Sequence, residues 1–169
     1  MTDHDALIAQ QIPRLRRYAR ALTGDRSAAD DLVQDTLERA LSRFHLWRRG
    51  TDLRAWMFTI MHNLYVNQAR SRARRQQESL ESESAAEALR GRDPDWLELR
   101  DLASALTQIP DEQRAVLLLV GLEQFTYDEA ARILDVPIGT VMSRLSRGRE
   151  RLRGLLGGEG GSAILKVVK

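Results

Sequence analysis

Between Thr126 and Leu156 the sequence reads TYDEAARILDVPIGTVMSRLSRGRERLRGLL. Thr126 and Glu129 have the spacing of a capping box, in which the hydroxyl and the carboxylate satisfy free amides at a helix start. Asp135-Val136-Pro137 breaks that helix, because proline cannot continue it. A second helix from Ile138 then has a core stripe of Ile138, Val141, Leu145, Gly148 and Leu152, leaving Met142, Ser143, Ser146, Arg147 and Arg149 opposite. A short helix, a tight turn and a second helix with small polar and arginine side chains near its start form a helix-turn-helix. In that motif the second helix enters the major groove of duplex DNA. The chemistry expected of these residues is recognition: short side chains against base edges, arginine against phosphates.

A second constellation lies on a helix expected from Leu53 to Arg74. Asn63, Asn67, Arg70 and Arg74 recur at three and four, with Trp47, Trp56 and Tyr65 nearby. Asparagine is a poor mid-helix residue. Amide groups for base edges, aromatic planes and arginines are what a surface for single-stranded nucleic acid needs. The same residues would also suit internal pairing, with Trp56 in the core. A third constellation is acidic. A helix capped by Ser27 carries Ala29, Leu32, Val33, Thr36, Leu37, Ala40, Leu41 and Phe44 on one face and Asp30, Asp31, Gln34, Asp35 and Glu38 on the other. Such a face either meets water or docks a basic partner.

The elements that must position these groups are all helical. Before the acidic helix, a segment from Pro13 to Leu22 carries Leu15, Tyr18, Ala19 and Leu22, and Leu7–Ile12 is a separate turn or a frayed end. The stretch from Gln76 to Pro94 is rich in Glu and Ser and poor in apolar residues, which marks a linker. Some 20 residues extended reach about 65–70 Å, close to two turns of DNA at about 34–36 Å each. Beyond it come helices at about Asp95–Ile109 and Asp111–Leu122, then the helix-turn-helix pair, then a glycine-rich tail. The expected architecture is all-α: a helical domain over 1–75, an acidic linker over 76–95, a second helical domain over 96–156 and a tail over 157–169.

Composition narrows the function classes. The chain has 169 residues, no cysteine, three histidines and a 43% hydrophobic fraction. This excludes disulfides and thiolate metal sites, and three scattered histidines do not make a ligand set, so neither metal nor cofactor is expected. No apolar run is long enough to span a membrane, and the N-terminus is acidic where a signal peptide is basic. A cytoplasmic protein is expected. All but two of the 26 basic residues are arginine, which suits bidentate phosphate and guanine contacts. An arginine-biased genome gives the same total, so position carries the argument. Residues 1–75 are net +6, 76–101 net −5 and 102–169 net +1, in keeping with two domains and a connector. No catalytic constellation stands out.

The segments AADDLVQDTLERAL (28–41), DLRAWMFTIMHNLYVNQARSRARR (52–75) and LTQIPDEQRAVLLLVGLEQFTYDEAARILDVPIGTVMSRLSRGRERL (106–152) together resemble a bacterial RNA polymerase sigma factor of the extracytoplasmic-function type, the minimal two-domain class. The resemblance covers about 1–75 and 96–156; the tail from Gly157 departs from it. It implies that the first domain is sigma region 2, which docks on the β′ clamp helices of core RNA polymerase through Asp31, Leu32, Val33, Gln34, Asp35 and Glu38. It implies that the loop 45–52, with Trp47, Arg48 and Arg49, and the helix bearing Asn63, Asn67, Arg70 and Arg74 take the melted −10 element. The second domain, sigma region 4, would read −35 duplex through Thr140, Met142, Ser143, Arg144, Ser146, Arg147 and Arg149 and touch the β flap. The linker would thread the polymerase channels, and an anti-sigma factor would hold the protein inactive. The alternative from another class is a stand-alone helix-turn-helix repressor or activator that dimerises through its first domain; an RNA-binding adaptor is more distant.

Overall fold

The computed structural model describes residues 2–78 and 95–157, with side chains from Arg100 onward in the second segment. Residues 79–94 of the expected acidic linker and the tail from 158 lie outside the described residues.

The first half is a helical bundle. Helix α1 (Asp3–Ala9) starts at Thr2, whose hydroxyl accepts from the Asp5 amide while the Asp5 carboxylate accepts from the Thr2 amide. The Thr2 amide, and after it the Thr2 hydroxyl, hold the Asp5 carboxyl below its ordinary value. The ambiguous Leu7–Ile12 stretch therefore resolves into the end of α1 and the start of α2 (Ile12–Thr23). Helix α2 buries Leu15, Tyr18, Ala19 and Leu22 and stops at Gly24, whose φ of 68° suits glycine. Helix α3 (Arg26–Ser42) begins earlier than Ser27 suggests: Asp25 is the N-cap, accepting from the Ser27 and Ala28 amides. A 3₁₀ turn (Phe44–Leu46) leads through a loop to α4 (Leu53–Glu78), which runs past the expected boundary at 75. The face α4 buries is Met57, Phe58, Met61 and Tyr65; Trp56, expected in the core, is only half-buried, as are Ile60 and Leu64.

The second half holds α5 (Asp95–Thr107), α6 (Asp111–Leu117), α7 (Tyr127–Leu134) and α8 (Ile138–Leu155). The apolar run expected to be one helix to Leu122 changes pitch: Leu118–Leu122 form a π-helical turn, with the Glu123 amide bonded to the Leu118 carbonyl at 3.0 Å. The run is buried over Ala115–Leu119, so its helix has no wet face there. Gly148 lets α8 approach α6 closely: a Cβ added there would stand 3.0 Å from the Leu117 side chain.

The halves pack on each other. Phe58 of α4 meets Phe125 edge to face, ring centroids 5.2 Å apart. A Cβ on Gly24 would stand 2.9 Å from the Thr107 methyl. Helix α4 lies against α7, and α2 against α5. Arg114, 8% exposed, spends its guanidinium on carbonyls: Leu106, Ile109 and Leu22 at 2.7 Å each, and Thr107 at 3.4 Å. Leu22 belongs to the first half, so this one side chain caps the end of α5 and fastens it to α2.

Candidate nucleic-acid interface

The helix-turn-helix is built as its sequence suggests. Thr126 caps α7, accepting from the Glu129 amide at 3.2 Å, and its hydroxyl donates to the Glu129 carboxylate at 3.0 Å. Asp135, at φ 53°, ends α7 in the left-handed conformation, and Pro137 opens α8. Val141, Leu145, Gly148 and Leu152 of α8 are buried. Ile138, expected to start that core stripe, is 43% exposed, because it precedes the first turn that meets α6 and α7. Met142, Ser143, Ser146 and Arg147 face water as expected; Thr140 and Arg149 are half-buried. The Ser143 hydroxyl donates to the Thr140 carbonyl at 3.2 Å. Arg144 is half-buried at the edge of that face and ion-paired with the exposed Glu112 at 3.5 Å. An open groove of about 320 Å³ runs beside Tyr127, Met142, Ser146, Arg149 and Arg153. It lies along the exposed side of α8, and Leu145 and Glu150 complete its lining beside the two arginines.

On α4, Asn63, Asn67, Arg70 and Arg74 are all exposed and follow one face for three turns. Both asparagine side chains therefore reach solvent. The neighbouring His62 is turned toward the second half. Burial, with the Arg144 charge adding to it, holds its imidazole below the ordinary value. Burial likewise raises the Tyr65 phenol, assisted by the Asp111 carboxylate. The loop before α4 exposes Arg48 and Arg49, whereas Trp47 folds back onto Phe44, centroids 5.3 Å apart, with its indole N–H buried. Arg49 lies 3.3 Å from the His4 ring. Asp52 caps α4 by accepting from the Arg54 and Ala55 amides.

On α3, Asp31, Gln34, Asp35 and Glu38 are exposed, with Gln34 donating to Glu38 at 3.3 Å and Gln68 of α4 donating to Asp35 at 3.2 Å. Leu32 and Val33, expected with them as contact residues, are buried in the bundle. They hold the acidic face in place rather than form part of it.

Residues 8–62 match the family model described as the sigma2 domain of PhyR, and residues 99–152 match sigma-70 region 4. The chain is 40% identical to the ECF RNA polymerase sigma factor EcfG of Rhodopseudomonas palustris over 88% of its length and 82% of that protein's. The chain belongs to the extracytoplasmic-function family of RNA polymerase sigma factors.

Among solved structures, this sigma factor resembles Bartonella quintana RpoE in complex with the anti-sigma factor NepR, with a TM-score of 0.80, 36% identity, and 94% and 99% of the two chains covered. It also resembles CnrH in complex with the cytosolic domain of CnrY, with a TM-score of 0.64, 25% identity, and 96% and 87% covered. Both matches span the two halves. The family consists of transcription regulators rather than enzymes. Among the described residues no group of three or more His, Asp or Glu side chains could hold a metal ion, and no helix is long and apolar enough to cross a membrane.

Sequence reasoning missed the contacts between the halves. Arg17 donates to the buried Glu123 carboxylate, Arg54 donates to the Glu123 carbonyl at 3.1 Å, and the Arg54 guanidinium sits 4.1 Å above the Phe125 ring. The available signal was a carboxylate and an arginine, Glu123 and Arg114, flanking a run too apolar to own a solvent face.

Proposed function

We propose that this sigma factor directs promoter-specific initiation by reading two DNA forms with two helix faces while an acidic face docks it on core polymerase. The observation that carries the reading is the pair of exposed polar faces in one chain: Asn63, Asn67, Arg70 and Arg74 on α4, and Met142, Ser143, Ser146 and Arg147 on α8. The α8 face takes −35 duplex, because the major groove distinguishes every base pair. The α4 face, with Arg48, Arg49 and Trp47 of the preceding loop, takes the −10 strand after melting. Extruding a base costs a few kcal/mol, which contacts in a pocket must offset. Asn63 and Asn67 supply amide groups for base edges; Arg70 and Arg74 hold phosphates and set register without reading sequence. Arg144 positions α8 through Glu112 rather than contacting a base.

Asp31, Gln34, Asp35 and Glu38 dock on the β′ clamp helices, Leu32 and Val33 fixing that face from beneath, and the second half also meets the β flap. The domains divide at 1–75 and 96–156, the acidic segment between them crossing the polymerase channels. An anti-sigma factor restrains the protein, as the complexes of its structural neighbours suggest. The protein works in the cytoplasm, where its polymerase is. The test is run-off transcription with purified core polymerase, alone and with the variant Gln34→Lys/Asp35→Lys. Both positions are exposed on α3, so the fold is retained. Transcripts are expected from the parent and not from the variant; equal co-purification of parent and variant with core enzyme overturns the docking assignment.

A further inference from the structure

We propose that Glu123 is an autoinhibitory latch that locks the two halves together, and that it must release before both promoter elements can be read. The Glu123 side chain is fully buried (0% exposed), while its partner Arg17, on α2 in the other half, is 54% exposed. Arg17 reaches one carboxylate oxygen twice, from Nε at 3.2 Å and Nη2 at 3.1 Å. The other oxygen is buried with no hydrogen-bond partner among the described residues. Arg54 closes the site from α4, bonded to the Glu123 carbonyl and stacked on Phe125. Between them Gln124 takes φ 58°, a conformation that side chains other than glycine rarely adopt, and it turns Glu123 and Phe125 both inward.

A buried carboxylate with one half-wet partner and one unpaired oxygen is a poor way to stabilise a core. Apolar side chains of similar size commonly do as well or better. What the ion pair supplies is reversibility. When the halves part, both charges regain water, so the desolvation suffered on closing is returned on opening. An apolar plug in the same place would lose by being exposed.

Closure also has a consequence for DNA. With the latch shut, α4 packs on α7, His62 feels the charge of Arg144 on α8, and Tyr65 faces Asp111. The two reading helices then belong to one packed body. Two DNA elements as far apart as the linker can reach, about 65–70 Å, cannot both be engaged in that state. This last step rests on the promoter-reading proposal; the latch itself does not.

The experiment uses the free full-length chain. Having no cysteine, it accepts a donor–acceptor dye pair at Ser42→Cys and Ser104→Cys, both exposed and one in each half. Arg17→Glu sets a like charge against the buried carboxylate, and Glu123→Gln removes that charge while keeping its shape. Circular dichroism checks that the helices are retained. Arg17→Glu is expected to lower the closed-to-open ratio at least tenfold, equivalent to about 1.4 kcal/mol, with Glu123→Gln shifting it the same way by less. It is also expected to bind core polymerase more tightly by a similar factor. A parent chain already in the low-transfer state, or variants with the parent's transfer efficiency, overturns the latch. Opened variants that bind core polymerase no better than the parent overturn its autoinhibitory role. The dye measurement needs neither DNA nor polymerase, so failure of the latch and failure of the promoter reading are told apart.

Discussion

Replacing Arg114 by methionine tests how strongly a single side chain joins the two halves. The substitution keeps most of the aliphatic stem and removes the guanidinium, so little cavity is added. It abolishes three bonds of 2.7 Å, to the carbonyls of Leu106, Ile109 and Leu22. A buried carbonyl left without a donor costs about 1–3 kcal/mol, so three of them, at the low end, amount to ~3 kcal/mol. Removing one side of a buried ionic contact sets an upper figure of about 5 kcal/mol. The ion pair to Asp111, at 3.3 Å with a carboxylate side chain 54% exposed, adds little. A loss of ~3–5 kcal/mol at about 3 °C per kcal/mol lowers the melting temperature by ~9–15 °C. Thermal melts followed by circular dichroism measure it directly. Arg114→Lys provides the control: one ammonium cannot span carbonyls fanned around a guanidinium, so it should recover less than half of the loss. A methionine variant melting within about 3 °C of the parent would mean that water satisfies those carbonyls equally well, and the reasoning from the bond list would fail.

Acidification should loosen the packing around His62. Burial holds its folded pKa below the ordinary imidazole value of about 6.5, so the unfolded chain binds more protons there. Stability is complete above about 6.5 and falls as the pH drops from there toward the lowered folded value. His62→Gln should flatten that part of the stability profile; an unchanged profile refutes it. Asn63→Ala and Asn67→Ala should weaken binding to single-stranded −10 DNA by about 1–3 kcal/mol each while sparing −35 duplex, and unimpaired promoter opening by both variants would make the face structural. Ser143→Ala should change which −35 sequence is preferred in binding selections. Arg147→Ala should instead weaken all sequences and reduce the salt slope by about one; relaxed preference at a single base pair with the slope kept would make Arg147 a base reader.

What could be read from the chain and what could not divides along a physical line. The α8 stripe was legible because helical period alone decides which of Val141, Leu145, Gly148 and Leu152 face inward. Errors arose where period was extended past its domain. Ile138 continues the stripe in number but stands before the first packed turn, so it is exposed. Leu32 and Val33, by contrast, are buried on the apolar face to which the period assigns them; only the docking motif implied by the resemblance sets them beside the exposed acids. Arg144 is three residues from Val141 and four from Gly148, so the same period that marks the core places it at the core's edge, where Glu112 takes it up. The start of α3 was misplaced because Asp25 and Ser27 are both good caps two residues apart. Only the structure shows Asp25 collecting the amides of Ser27 and Ala28.

The contacts between the halves follow a different rule. Arg17 and Glu123 are 106 residues apart, and no periodicity links them. Yet the run from Ala115 to Val120 carries a hint of its own. A helix apolar all round has no solvent side, so residues at its ends have less chance of turning outward than charged residues usually have. Arg114 and Glu123 stand at those ends, and both are buried. They satisfy their charges in opposite ways. Arg114 is met by main-chain carbonyls: those of Leu106 and Ile109 lie in its own half and stay with it when the halves part, while that of Leu22 lies across the seam and is given up on opening. Glu123 is met by a side chain 54% exposed, which can swing into water with no helix disturbed. The same apolar run therefore ends in a buried bond across the seam on one side and a half-wet ion pair on the other, and motion between the halves should begin at the Glu123 end, where water already reaches the partner.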